Sequence, residues 1–223
     1  MASDHDLLRG TLAAVVAAVL FGMLGPLSRF GAEAGVGGGA FTAWRAILGV
    51  AFLAVLVTAR GAAGSSFAAV RSLSGRGRAA LATAAIMGVT LNVSMFTAFG
   101  LVPIALALML FYLYPAGVVV VDLALGHERM TRSRLAALAF SFCGVALVLF
   151  GGVTTADGDP VSPLGIALCI VAAASQVVFM TVSRGGYSRV PADAATIVIL
   201  AASVVGASTI AVLVGQGQQL LAP

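Results

Sequence analysis

Charge enters the long apolar stretches of this sequence at two positions, Arg45 and Asp122. An ionised side chain at the centre of a membrane helix costs about 2.5 to 3.5 kcal/mol on insertion scales, so each needs a partner, a cavity or a route to the headgroups. Arg45 lies some five residues inside the outer end of its apolar run. From there its guanidinium can reach a central cavity and hold a substrate carboxylate bidentately, or its long stem can snorkel back to the interface. Asp122 stands three residues from the opposite end of its own run, close in sequence to His127, Arg129 and Arg132. It is the one carboxylate inside a run and so the one candidate proton carrier. Its shallow depth fits an interfacial ion pair better.

The uncharged candidates are fewer than the composition suggests. Asn92 has Met95, Phe96 and Phe99 at i+3, i+4 and i+7, which puts one amide on a soft aromatic stripe suited either to a small amphipathic substrate or to helix packing. Gln176 falls in the middle of an apolar run, where an amide needs a partner in a cavity or on a neighbouring helix. Trp44, Tyr112 and Tyr114 can stack on a substrate, and Trp44 near the outer boundary also fits an interface anchor. Thr83, Thr90, Ser94 and Thr97 form a separate polar face, read as donors between helices. Pro115 lacks the N–H that would bond the Phe111 carbonyl, which predicts a kink that turns Tyr112 and Asp122 to one side. Gly22, Gly25 and Pro26 predict a similar break earlier in the chain, and close packing through small residues explains the glycines equally well.

The elements that must position these residues are membrane helices. Of 223 residues, 61% are hydrophobic and 9% charged, against roughly a quarter charged in soluble domains. The mean hydropathy is +1.10. Seven runs are long enough to cross a bilayer at about 1.5 Å per residue: residues 11–27, 40–59, 79–99, 104–125, 135–151, 164–183 and 194–214. Gly100 to Pro103 force a tight hairpin between the third and fourth, and the gap from Arg60 to Arg78 has room for a short surface helix. All twelve basic residues are Arg. Alternate gaps beginning at the N-terminus hold Arg9, then Arg60, Arg71, Arg76 and Arg78, then Arg129, Arg132 and Arg134, then Arg184 and Arg189, while the opposite gaps hold Arg29 alone. That asymmetry predicts a cytoplasmic N-terminus, and an odd helix count puts the C-terminal segment outside.

Several function classes fall away on these residues. The arginines are spread over short gaps, which speaks against a nucleic-acid surface. A retinal photoreceptor needs a lysine and the chain has none. Intramembrane enzymes need a nucleophile with a base, paired carboxylates or metal ligands. Here His5 lies in the tail, His127 in a gap, Asp122 has no second carboxylate, and Cys143 and Cys169 lie in apolar runs with no base nearby. No catalytic residue, metal or cofactor is expected.

Displacing the chain by 155 positions sets Gly10 on Gly165, Val16-Ala17-Ala18 on Val171-Ala172-Ala173, Ser28-Arg29 on Ser183-Arg184 and Gly31 on Gly186. Five helices separate the copies, and an odd number inverts the second in the membrane, an architecture of transporters. The segment Leu113-Tyr114-Pro115 through Leu125-Gly126-His127-Glu128-Arg129-Met130-Thr131 resembles the end of the fourth helix of the EamA family in the drug/metabolite transporter superfamily. Phe41 to Leu48, with Arg45, resembles that family's second helix, and Phe21-Gly22 to Pro26 its first. The resemblance implies ten helices in two inverted five-helix repeats that export amino acids or other small metabolites by alternating access.

The expected fold is therefore an all-α polytopic transmembrane bundle of about seven helices. Residues 1–10 form a cytoplasmic tail, 11–152 one whole five-helix repeat, 153–163 an external loop, and 164–223 the first two helices of an inverted second copy. Substrate contacts are expected from Arg45, Trp44, Asn92, Phe96, Tyr112 and Gln176, hinges at Gly22, Pro26 and Pro115, and a structural loop role for Glu128. The protein would sit in the plasma membrane among its lipids and act on a small molecule. Because the second copy lacks its later helices in this sequence, a fragment, a complementing subunit or homo-oligomer, and a scaffold of the same fold without transport of its own all stay open.

Overall fold

The computed structural model describes residues 4–61, 63–126, 131–150, 161–188 and 190–221. It is helical throughout that range: α1 (Asp4–Gly22), α2 (Leu24–Glu33), α3 (Gly38–Ala59), α4 (Ala63–Arg71), α5 (Gly75–Phe99), α6 (Ile104–Phe111), α7 (Tyr114–Ala124), α8 (Arg132–Phe150), α9 (Pro163–Ser183) and α10 (Ala192–Leu213), followed by the short 3-10 helix η1 (Gly217–Leu220). Among the described residues six segments are long and apolar enough to span a membrane: 10–33 (α1 with α2), α3, α5, 104–124 (α6 with α7), α9 and α10. The remaining run predicted from sequence corresponds to α8, a helix of 19 residues. The surface helix expected between Arg60 and Arg78 is α4.

Local chemistry accounts for most of the boundaries. Ser74 accepts a bond from the Gly77 N–H and Ser162 one from the Gly165 N–H, capping α5 and α9. Pro163 opens α9, where its missing donor costs nothing. Gly61 and Gly126, at φ +66° and +71°, close α3 and α7 in the left-handed conformation that an L side chain resists. Both expected breaks are present. α1 stops at Gly22 and α2 resumes at Leu24, two residues before Pro26, which therefore falls in the first turn of α2, where no helical donor is needed. α6 stops at Phe111, and Leu113 turns inward to bond the Leu110 carbonyl at 3.2 Å before α7 starts beside Pro115.

The helices meet through small residues. Ala40, Ala43, Ala46, Ala84, Ala98, Ala107, Ala172, Ala207 and Ala211 are completely buried, while Phe140 is 80% exposed and Leu48, Phe52 and Val55 face outward. Bulk outside and alanine inside is the pattern of a bundle whose solvent is lipid. α5 packs most extensively against α9, and the two run antiparallel: Gly77 lies against Gly186 at one end and Gly165 against Leu101 and Val102 at the other. α3 runs antiparallel to α10, with Gly39 against Ala211 and Gly49 against Leu200. The largest apolar cluster joins α5, α6 and α9 around Phe96, Phe99, Val102, Leu106, Leu110 and Cys169. Cys143 on α8 is exposed. Thr90 departs from the expected role as an interhelical donor: its hydroxyl bonds the Ile86 carbonyl of its own helix at 3.0 Å, because the preceding turn is nearer than any neighbour.

At Gly38 a methyl group would collide with the backbone of Thr97, whereas at Gly144 it would meet nothing. Gly38→Ala should lower unfolding stability by about 1 to 3 kcal/mol. Gly144→Ala should be neutral or stabilising by up to about 1 kcal/mol. Thermal unfolding in detergent compares the two, and equal effects would contradict the packing described.

Candidate functional site

The two broken helices face each other across α5. Between them lies a cavity of about 110 Å³, lined by Gly22, Leu24 and Gly25 at the first break, Asn92, Met95, Phe96 and Phe99 on α5, and Leu108, Phe111 and Tyr112 at the second. The stripe anticipated from sequence, Asn92 with Met95, Phe96 and Phe99, forms one wall. Asn92 and Arg45 each stand seven residues, about 10 Å, inside the end of their helix.

Arg45 reaches this wall from behind. Its Nη2 donates to Asn92 Oδ1, and its guanidinium carbon stands 5.1 Å from the centre of the Phe96 ring, within cation–π range. Asn92 is held in turn by donating to the Gly88 carbonyl at 2.7 Å. Arg45 Nε is buried with no partner among the described residues. Phe96 packs on Phe41 and Phe99, with centroids 5.0 and 5.9 Å apart, so the ring under the guanidinium is itself fixed. Arg45 therefore stays among α5 side chains, and the snorkelling alternative does not describe this conformation.

Other expected site residues lie elsewhere. Trp44 does not line the cavity. Its indole N–H donates to the Gln219 carbonyl at 3.1 Å, and the Gln219 side chain accepts from the Gly37 N–H at 2.8 Å and donates to the Gly35 carbonyl at 2.7 Å. The segment after α10 thus clamps the α2–α3 turn, a contact across 184 positions that no local pattern announces. Gln176 is half-buried on α9 and is not part of the cavity wall. Tyr112 is 61% exposed and stacks with Phe111 and Tyr114 at the cavity rim. Pro26 and Pro115 produce the breaks without lining the space, and Glu128 lies outside the described residues.

Asp122 forms the expected kind of contact with an unexpected partner. Its carboxylate, 7% exposed, accepts from Arg184 Nη1 at 2.5 Å, while the Arg184 side chain is 60% exposed at the end of α9. Asp122 and Tyr112 do not share a side: the interruption at Tyr112 and Leu113 resets the helical phase, so α7 presents Asp122 to α9 and α6 leaves Tyr112 at the cavity. Arg184 is the counterpart of Arg29 in the 155-residue displacement. Arg29 bonds the Phe99 carbonyl at the opposite end of the bundle and pairs with Glu33 on its own helix.

A polytopic bundle of apolar helices with a small, largely apolar cavity between two interrupted spans is the build of a membrane protein that handles small molecules. A sequence model described as the EamA-like transporter family matches residues 8–150, well over half of the chain. The chain belongs to that family and is a multi-pass membrane transporter of the drug/metabolite type. No curated protein and no solved structure matches it.

Asp122→Asn leaves Arg184 facing a neutral amide at a largely buried position, and should cost about 1 to 3 kcal/mol. Glu33→Gln breaks an exposed i,i+4 pair and should cost no more than about 0.5 kcal/mol. Denaturant unfolding of both variants checks the ranking. A cost for Glu33→Gln as large as that for Asp122→Asn would contradict it.

Proposed function

We propose that this transporter exports amino acids or related small metabolites by alternating access, with the cavity between the two broken helices as its binding site. The carrying observation is Arg45, which does not line the cavity but bonds Asn92 and lies on Phe96 behind its wall, and whose buried Nε lacks a partner among the described residues. A guanidinium with an unused donor and a fixed aromatic ring under it suits a ligand with a carboxylate at one end and a small apolar body. Asn92 orients the guanidinium, and Phe96 and Tyr112 supply apolar contact. Gly22, Pro26 and Pro115 are the hinges, because interrupted helices bend with fewer backbone bonds broken. Trp44 is assigned to closure at the outer end through Gln219, and Gln176 to the part of the path facing α9.

The antiparallel packing of α3 on α10 supports the inverted repeat, since these are corresponding helices in the two copies. Arg71, Arg78 and Arg184 lie at one end of the bundle and Arg29 at the other. By the positive-inside asymmetry the first end is cytoplasmic, and the segment after α10 is outside, in the plasma membrane.

Counterflow of radiolabelled amino acids in proteoliposomes tests the reading. Saturable exchange is expected, and its complete absence across a broad panel would favour a partner-dependent scaffold. Arg45→Ala should reduce exchange about tenfold or more with insertion and abundance intact, corresponding to the loss of charge-assisted hydrogen bonds. Arg45→Lys, which keeps the charge and loses the fork, should fall between. Unchanged exchange in Arg45→Ala would rule out its role. Asp122→Asn should leave exchange measurable, because its carboxylate is tied to Arg184 outside the cavity; complete loss in a folded variant would contradict this and revive a proton-linked mechanism.

A further inference from the structure

At the end of the bundle opposite Arg29 and Gln219, the short helix α4 lies over the start of α10, held there by a 3.4 Å hydrogen bond from Ser66 to Asp193. Two clefts flank it and share Val70 and Val198 as a common wall. The first, about 530 Å³, runs between α4, α5 and α10: Arg71 and Arg78 stand at its rim, and Leu81, Ala82 and Val198 form its floor. Arg78 is aimed by its own Nε, which donates to the Leu73 carbonyl at 3.0 Å. The second, about 290 Å³, runs between α3, α4 and α10 and is apolar apart from Thr58 and Ser66. The Thr58 hydroxyl donates to its own helix and the Ser66 hydroxyl to Asp193. Asp193 is the one acidic side chain on these four helices, and its carboxylate also accepts the Ala194 N–H.

Two guanidinium groups at the end of the membrane-crossing helices, above paired apolar clefts, describe the partner by charge and shape. A headgroup phosphate needs cations at interfacial depth, and acyl chains need the clefts beneath. We infer that this end of the transporter holds an anionic two-chain phospholipid, with the phosphate between Arg71 and Arg78 and one chain in each cleft on either side of Val70 and Val198. The site faces the leaflet where positive loops and anionic lipids meet, and each arginine contributes to attraction for that surface. It is separate from the cavity at the helix breaks, so it sets the lipid requirement of the protein and not its substrate.

The test is retention of phosphatidylglycerol against phosphatidylcholine by the purified full chain, measured by native mass spectrometry and by the shift in unfolding temperature on adding each lipid. The wild type should prefer phosphatidylglycerol roughly thirtyfold, as expected for two interfacial arginines. Equal retention of the two lipids would overturn the proposal without any variant. Arg71→Gln with Arg78→Gln should abolish the preference, while Arg76→Gln, in the first turn of α5 but outside the clefts, should keep it. Loss of preference in Arg76→Gln to the same extent would show diffuse attraction and no site. Val198→Trp, which fills the shared wall and keeps both arginines, should reduce retention, and full retention would exclude the acyl-chain clefts. Glycerol phosphate alone should give no shift; a shift equal to that of the lipid would identify a soluble anion as the occupant.

Discussion

Close approach of helix backbones through alanine and glycine is the constraint on which the rest of this structure depends. Lipid gives helices no hydrophobic reason to associate, so contact must come from dispersion over closely fitted surfaces. Nine alanines are buried to zero exposure; an added methyl would strike a neighbouring helix at Gly38 and Gly206, and the α5–α6 turn at Gly165. That fit sets α5 against α9 and α3 against α10. It thereby joins α9 and α10 to the helices that precede them in the chain, and brings Arg45 on α3 within reach of Asn92 and Phe96 on α5.

Within this packed frame the proline breaks have a consequence beyond bending. A backbone carbonyl deprived of its helical donor is costly in hydrocarbon and is tolerated where it lines a protein cavity. The interruptions before Pro26 and Pro115 lie on opposite sides of one cavity, with α5 as the continuous wall between them. The interrupted spans and the cavity that holds Asn92 thus coincide. The two ends are fastened by different chemistry, Gln219 on the α2–α3 turn at one and Asp122 with Arg184 at the other, and each fastening ties the last two long helices or the segment after them to earlier elements.

Much of the fold was legible in advance because its signals are local. Apolar runs of about 20 residues, the Gly100 to Pro103 hairpin, the surface helix before Arg76 and the interruptions at Pro26 and Pro115 each follow from a few adjacent residues. The Asn92, Met95, Phe96 and Phe99 wall was legible for the same reason, since residues spaced by one helical turn share a face. Phe21, Leu91 and Leu108, which also line the cavity, carry no signal that separates them from ordinary lipid-facing residues.

The sequence by itself determined that this is a helical membrane bundle, where its helices run and break, and that Arg45 and Asp122 would need partners. The tertiary structure decided which partners. Asp122 finds Arg184 across 62 positions, Trp44 is drawn to Gln219 across 175, and the turn at Tyr112 rotates Asp122 away from the cavity. A charge or an amide in hydrocarbon must be satisfied, and that demand is written in its residue type and depth. Which group satisfies it depends on how distant helices are seated, and that is settled by the summed fit of many small side chains and by no local pattern.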